Sequence, residues 1–348
     1  MTKEVVISVQ HLTKDYGLGR GIFDLSFEVH KGEVFGFVGT NGSGKTTTIR
    51  HIMGFLKADE GQVQVQGLDS WKDGPEIKQF VSYVPGEIAF PDLSSGTVFL
   101  KNQAELLGMK NMDYANMLID KLQLDPSANL KRMSKGMKQK TAIVAALMAD
   151  KDILILDEPT TGLDPLMRET FLDIVLEEKK RGKTIFMSSQ LFDELELTCD
   201  RVALILDGKI IDIADIEKLK NPTHMLYKIE FTTKEEYEKF KGLKFEIVRD
   251  QPQYFQVTIK IPNSKINSLF NVLKNYHLKF ISQVKQNLER HFKEILAAKR
   301  HVKIVDSTEL DKTRKERKHD KKVVKKQYKH DKAQRKERMK NKEVKNDK

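Results

Sequence analysis

The apolar run Val34–Val38 leads directly into Gly39-Thr40-Asn41-Gly42-Ser43-Gly44-Lys45-Thr46-Thr47, and this G-x-x-x-x-G-K-T segment constrains the fold more than any other stretch. Glycines at 39, 42 and 44 let the backbone bend until successive N–H groups face one point, and the helix that follows adds its positive end. Such a loop cradles phosphate. Lys45 is placed to reach the terminal phosphates and Thr46 to hold Mg²⁺, with Thr40, Asn41, Ser43 and Thr47 completing the cradle. A strand, a tight loop and a helix in this order belong in an α/β fold with a parallel sheet.

Further short apolar runs at Ile153–Asp157, 184–188 and 202–206 read as buried strands of that sheet. Residues 5–29 and 62–66 alternate apolar with polar instead, which suits an antiparallel sheet with one wet face. Residues 94–150 are helical in pattern. After Asn221-Pro222-Thr223 the order becomes strand 226–231, helix 234–241, strand 244–249, strand 254–260, helix 263–275 and strand 278–285, a β-α-β-β-α-β succession of ferredoxin-like type, followed by a helix at 287–299.

Three motifs add chemistry to the phosphate loop. Ile153-Leu154-Ile155-Leu156-Asp157-Glu158-Pro159 ends a buried strand in two acids, with Asp157 placed to hold Mg²⁺ and Glu158 to polarise a water. About twenty residues earlier lies Met133-Ser134-Lys135-Gly136-Met137-Lys138-Gln139-Lys140, where Ser134 offers a hydroxyl and Gly136 allows close backbone approach at the start of a helix expected over 137–149. Gly162-Leu163-Asp164 follows the acidic pair, and Tyr16 precedes the phosphate loop by about twenty residues.

In this order the motifs resemble those of the ATP-binding cassette (ABC) family, over roughly residues 5–220. The resemblance implies a P-loop NTPase core with an antiparallel β subdomain and a helical subdomain, completed here by the small C-terminal α+β domain. It implies that Tyr16 stacks on adenine, that Ser134 and Gly136 contact the γ-phosphate of an ATP held by a second cassette, and that Gly162-Leu163-Asp164 couples the two sites. The S-K-G-M-K-Q form of the signature is similar to the bacitracin-exporter type of ATPase subunit, which pairs with a separate membrane permease. Domains are accordingly expected at 1–220, with the helical subdomain at 94–150, at 225–300 for the accessory domain, and at 301–348 for a mobile basic tail.

Two departures stand out. Where the family carries a switch histidine, Ser188-Ser189-Gln190-Leu191-Phe192-Asp193-Glu194 has Gln190, which can donate an amide N–H but cannot carry charge or relay a proton; hydrolysis is expected to be slower than with histidine. Where the family has Gln directly after Tyr83-Val84-Pro85, this chain has Gly86-Glu87, and Glu87 is the candidate to take that role as a ligand of Mg²⁺ or its waters.

Composition decides which partners to expect. Of 61 Lys+Arg and 50 Asp+Glu, 19 and 9 fall in residues 301–348, which leaves 42 and 41 in residues 1–300. Of the net charge of +11, residues 1–300 therefore hold +1 and the tail +10. An anionic lipid surface is a candidate partner for it. With Tyr328 as its one aromatic side chain, binding to RNA or the ribosome is disfavoured. The single cysteine, Cys199, excludes an internal disulfide and fits a reducing compartment. No apolar run is long enough to span a bilayer, and Met1-Thr2-Lys3-Glu4 lacks the start of a signal peptide, so the expected location is the inner face of the cell membrane, held by the permease. The expectation is an ATPase subunit of a bacterial exporter working as a pair of cassettes. Its rival is a soluble cassette ATPase acting on the ribosome or nucleic acid through the tail.

Overall fold

The computed structural model describes residues 4–300. The basic tail expected at 301–348 lies outside the described residues. Strands β1 (Val5–Asp15), β2 (Gly21–His30), β3 (Val34–Val38), β4 (Glu60–Val65), β5 (Leu68–Asp69), β6 (Val81–Val84), β7 (Ile153–Asp157), β8 (Thr184–Ser189), β9 (Arg201–Leu206) and β10 (Lys209–Asp215) build two sheets. The first runs β2-β1-β4-β5 and the second β10-β9-β3-β8-β7-β6.

In the second sheet β6, β7, β8, β3 and β9 are parallel to their neighbours, and β10 turns back antiparallel on β9. Every residue of β3, β7 and β8 is buried, as strands covered on both faces require. β3 lies at the centre, so its C-terminal end delivers the phosphate loop beside the ends of β7 and β8. The active groups of open parallel sheets gather at such carboxyl ends.

The antiparallel sheet is held to the parallel one by an aromatic stack. Phe27 of β2 lies 5.4 Å from Phe35 of β3 with its ring inclined by 9°, and Phe186 of β8 lies 5.9 Å from both. These rings belong to one buried core with Ile49 and Ile52 of the helix Lys45–Ile52, so the cradle rests on packed side chains. Helices Gly96–Leu106, Asp113–Lys121 and Lys135–Leu147 occupy the segment expected to be helical.

Beyond residue 223, β11 (His224–Phe231), β12 (Glu246–Gln251), β13 (Gln256–Pro262) and β14 (Leu278–Val284) form an antiparallel sheet in the order β12-β13-β11-β14. Helices Lys234–Lys241 and Ile266–Leu273 carry Tyr237, Phe240, Leu269 and Leu273 onto one face of it. This is the ferredoxin-like arrangement anticipated from the order of elements. The final helix, Leu288–Arg300, begins with the Leu288 N–H bonded to Glu196 Oε2 at 2.9 Å, and Phe292 is buried beside Phe192. Among the described residues no helix is long and apolar enough to cross a membrane.

Candidate nucleotide site

The phosphate loop has the strained geometry that its glycines allow. Gly42 and Gly44 take left-handed φ values of 80° and 113°. At Gly39 a side chain would come within 2.5 Å of the Ile205 carbonyl and of Ser43 Oγ, so only glycine fits. Lys45 is buried and folded back: its ammonium donates to the carbonyls of Gly39 at 2.8 Å and Thr40 at 3.1 Å, and lies 3.1 Å from Glu158 Oε1.

The acidic pair sits at the end of β7. Asp157 is wholly buried; its Oδ1 accepts the Ser188 hydroxyl at 2.7 Å, Thr46 bonds the same carboxylate, and Oδ2 has no hydrogen-bond partner. Burial pushes the Asp157 carboxyl up, against the opposing pull of the Ser188 and Thr46 hydroxyls. Glu158 leaves the strand at a left-handed φ of 47°, a conformation that costs a non-glycine residue about 1 kcal/mol or more, and its N–H is held by Ser188 Oγ at 3.0 Å. The turn aims the Glu158 carboxylate between Lys45 and Gln190, whose amide donates to Oε2 at 2.8 Å.

Of these groups, Lys45, Thr46 and Glu158 open onto a cavity of about 240 Å³. Tyr16 and Arg20 line it together with Asn41, Gly42, Gly44, Lys45, Thr46, Thr47 and Glu158. Tyr16 is half exposed. The Tyr16 turn is closed by Tyr16 N–H donating to the Arg20 carbonyl at 2.8 Å. The turn between β9 and β10 ties the phosphate loop to β2: Gly208 N–H donates to the Ser43 carbonyl at 3.0 Å and the Gly208 carbonyl accepts from Phe23 N–H at 2.8 Å.

Of the expected site residues, Gly39, Thr40, Ser43, Asp157 and Gln190 adjoin the residues that line this cavity without lining it, and Ser134, Gly136 and Glu87 lie on other segments. Ser134 is exposed and caps the helix Lys135–Leu147 by accepting from Met137 N–H at 3.2 Å; the helix starts two residues earlier than expected because the cap itself sets its origin. Gly136 packs on the turn after the acidic pair, where a side chain would come within 2.7 Å of the Gly162 carbonyl. Glu87 is exposed, and it is Gly86 that covers Asp157: a Cβ there would stand 3.2 Å from the unpartnered Oδ2.

Several members of the site were not assigned from sequence. Ser188 holds both acids, yet in the sequence it is only the first serine of the Ser188-Ser189-Gln190 phrase. Arg20 contributes to the cavity wall from a turn where no motif marks it. Gly208 was findable, since Asp207-Gly208 between two apolar runs is a hairpin signal, and both residues have positive φ.

The profile of the ABC transporter family matches residues 22–161. Over 218 residues the chain is 34% identical to an uncharacterised ABC transporter ATP-binding protein of Methanocaldococcus jannaschii, an alignment that covers 61% of this chain and 79% of the relative. The chain belongs to the ABC transporter ATP-binding proteins. This ABC subunit is also 35% identical over 221 residues to the bacitracin transport ATP-binding protein BcrA of Bacillus licheniformis, covering 62% of the one and 71% of the other. A solved ATP-binding subunit of an ABC transporter matches at a TM-score of 0.56 and 28% identity, over 62% of this chain and 92% of that one. As an ABC ATPase the protein binds ATP and hydrolyses it. Its donor set fits a divalent cation beside the phosphates, because Asp157 Oδ2 is buried without a partner next to Thr46.

Proposed function

We propose that the protein is the ATPase subunit of a bacterial exporter, that two cassettes close around two ATP molecules, and that a separate membrane permease converts closure and reopening into transport. The observation that carries this reading is the division of the site. Lys45, Thr46 and Glu158 converge on one cavity, whereas Ser134, on its exposed cap, lies outside it and is free to complete a cavity on another copy. The cassette resemblance supplies the sandwich geometry, and similarity to a bacitracin transport subunit supports export.

Within a site, Tyr16 stacks on adenine, while Lys45 and the N–H groups of residues 39–47 neutralise the phosphates. For Lys45 to do so, its ion pair with Glu158 must open as the γ-phosphate enters, and that frees the Glu158 carboxylate to orient water. Gln190 then holds Glu158 through its amide and senses the γ-phosphate. Thr46 and Asp157 are the residues to hold Mg²⁺, with Glu87 a further candidate from the neighbouring loop. When bound, the ion neutralises charge on the phosphate oxygens. Catalysis rests on positioning and electrostatics.

Co-expression with the permease tests the whole reading. Recovery of the protein in the membrane fraction, with ATP turnover abolished by Lys45→Ala, is the expected result; a protein that instead follows ribosomes on a salt-sensitive gradient would favour the rival. Glu158→Gln is expected to trap an ATP-bound dimer on size exclusion with MgATP. A monomer that hydrolyses normally would remove Glu158 from its role.

A further inference from the structure

Glu194 is a buried carboxylate that no step above uses. It lies in the short helix Phe192–Thr198 with 3% of its surface exposed, and it does not border the nucleotide cavity. Its Oε2 accepts two hydroxyls, from Ser189 at 2.7 Å and from Thr160 at 3.0 Å. Its Oε1 has no hydrogen bond, although Arg168 Nε stands 3.3 Å away. That nitrogen is itself buried and also lacks a hydrogen-bond partner.

Each contact belongs to a different working segment. Ser189 is the residue before Gln190, and its hydroxyl oxygen also accepts from Leu191 N–H at 3.0 Å, so it fixes the exit of β8. Thr160 lies two residues after Glu158 in the turn that aims that carboxylate, and Arg168 is in the first turn of the helix Pro165–Lys180, whose N-cap is Asp164. Glu194 therefore joins the segments that carry Gln190, Glu158 and the Gly162-Leu163-Asp164 turn.

Two hydroxyl donors could be met equally well by a neutral amide at this position. A buried carboxylate is costly unless it is paired, so its charge calls for the guanidinium. The pair is at ion-pair distance but not aligned as a hydrogen bond, and it has one orphan atom on each side. We propose that Glu194 is a positioning residue for ATP hydrolysis, coupling the Asp164 turn to Gln190 and Glu158, and that its bond to Arg168 is completed when two cassettes close on nucleotide. This rests on the roles proposed above for Glu158 and Gln190.

The test compares full-length wild type with Glu194→Gln, Arg168→Gln and the double variant, using ATP affinity from a fluorescent ATP analogue, kcat and KM, with Glu158→Gln as control. The expected result for each single variant is ATP affinity within about twofold of wild type and kcat at least about tenfold lower; the double variant should be no worse than the worse single one, as for residues acting through one bond. A merely structural role would change the fraction of folded protein and leave kcat per folded site untouched. That outcome, or losses that multiply in the double variant, overturns the proposal. Arg168 is partly exposed, so Arg168→Gln alone decides the matter if Glu194→Gln does not fold. Normal turnover by Glu158→Gln would instead overturn the underlying roles, and the coupling with them.

Discussion

The amide of Gln190 holds one oxygen of Glu158, and it cannot titrate. Wild-type turnover should therefore show no limb from this position between pH 5 and 8. Gln190→His is expected to raise kcat and to introduce such a limb, since imidazole changes charge in that interval; a pH profile parallel to wild type would mean that position 190 does not touch the reaction. Ser188→Ala removes the donor to Asp157 Oδ1 and the acceptor of Glu158 N–H together. A lost buried bond of this kind costs about 1–3 kcal/mol, so kcat should fall at least tenfold with a lowered Tm. Glu87, the candidate to replace the absent Gln of the Pro85 loop, is exposed, and Gly86 is the residue that stands over Asp157. What distinguishes Gly86 from Glu87 is the direction in which the loop crosses Asp157, which is set by β6 and β7 and is not written at either residue.

A cluster of charges links elements that are far apart in sequence. Tyr114 and Lys121, on the helix Asp113–Lys121, reach Glu178 and Glu177 on the helix Pro165–Lys180, and Glu178 also pairs with Lys183 and Arg181. Burial alone would raise the Glu178 carboxyl, but the bonds from Tyr114, Lys183 and Arg181 outweigh it and hold the group below the usual carboxylate range. A depressed carboxylate stabilises the fold above its unfolded pKa of about 4.3, and that contribution is lost as pH falls through the folded value. Tyr114→Phe should therefore lower stability by about 1–2 kcal/mol at pH 7 and by less at pH 3, as measured by denaturant unfolding; an equal loss at both pH values would mean that Glu178 is not the partner that matters. Strands buried on both faces were legible because continuous apolar runs leave them few alternatives. β6 and β10 were not, since each pairs with one neighbour at an edge of the sheet and mixes polar with apolar residues. The ferredoxin-like order was legible from the succession of elements after Asn221-Pro222-Thr223, and in the structure the Thr233 hydroxyl caps the helix Lys234–Lys241.

For the whole molecule, charge is divided between a balanced body and a basic tail, so the expectation that the tail meets an anionic lipid surface can be tested apart from ATP turnover. Removing residues 301–348, which hold 19 Lys+Arg and 9 Asp+Glu, should leave ATP turnover intact while abolishing salt-sensitive binding to vesicles of anionic lipid. Unchanged vesicle binding would place the lipid contact on residues 1–300 and remove it from the tail. The position of β3 has a consequence for biosynthesis. Its two neighbours, β8 and β9, are encoded far downstream, from Thr184 onward. At roughly 5–20 residues per second, a ribosome needs on the order of ten to thirty seconds after Val38 emerges to deliver them. Through that interval the most apolar strand of the sheet has neither of its edges filled. The same delay means that the nascent chain carries a complete phosphate loop with no acid beside it, so it cannot spend ATP before its fold is closed.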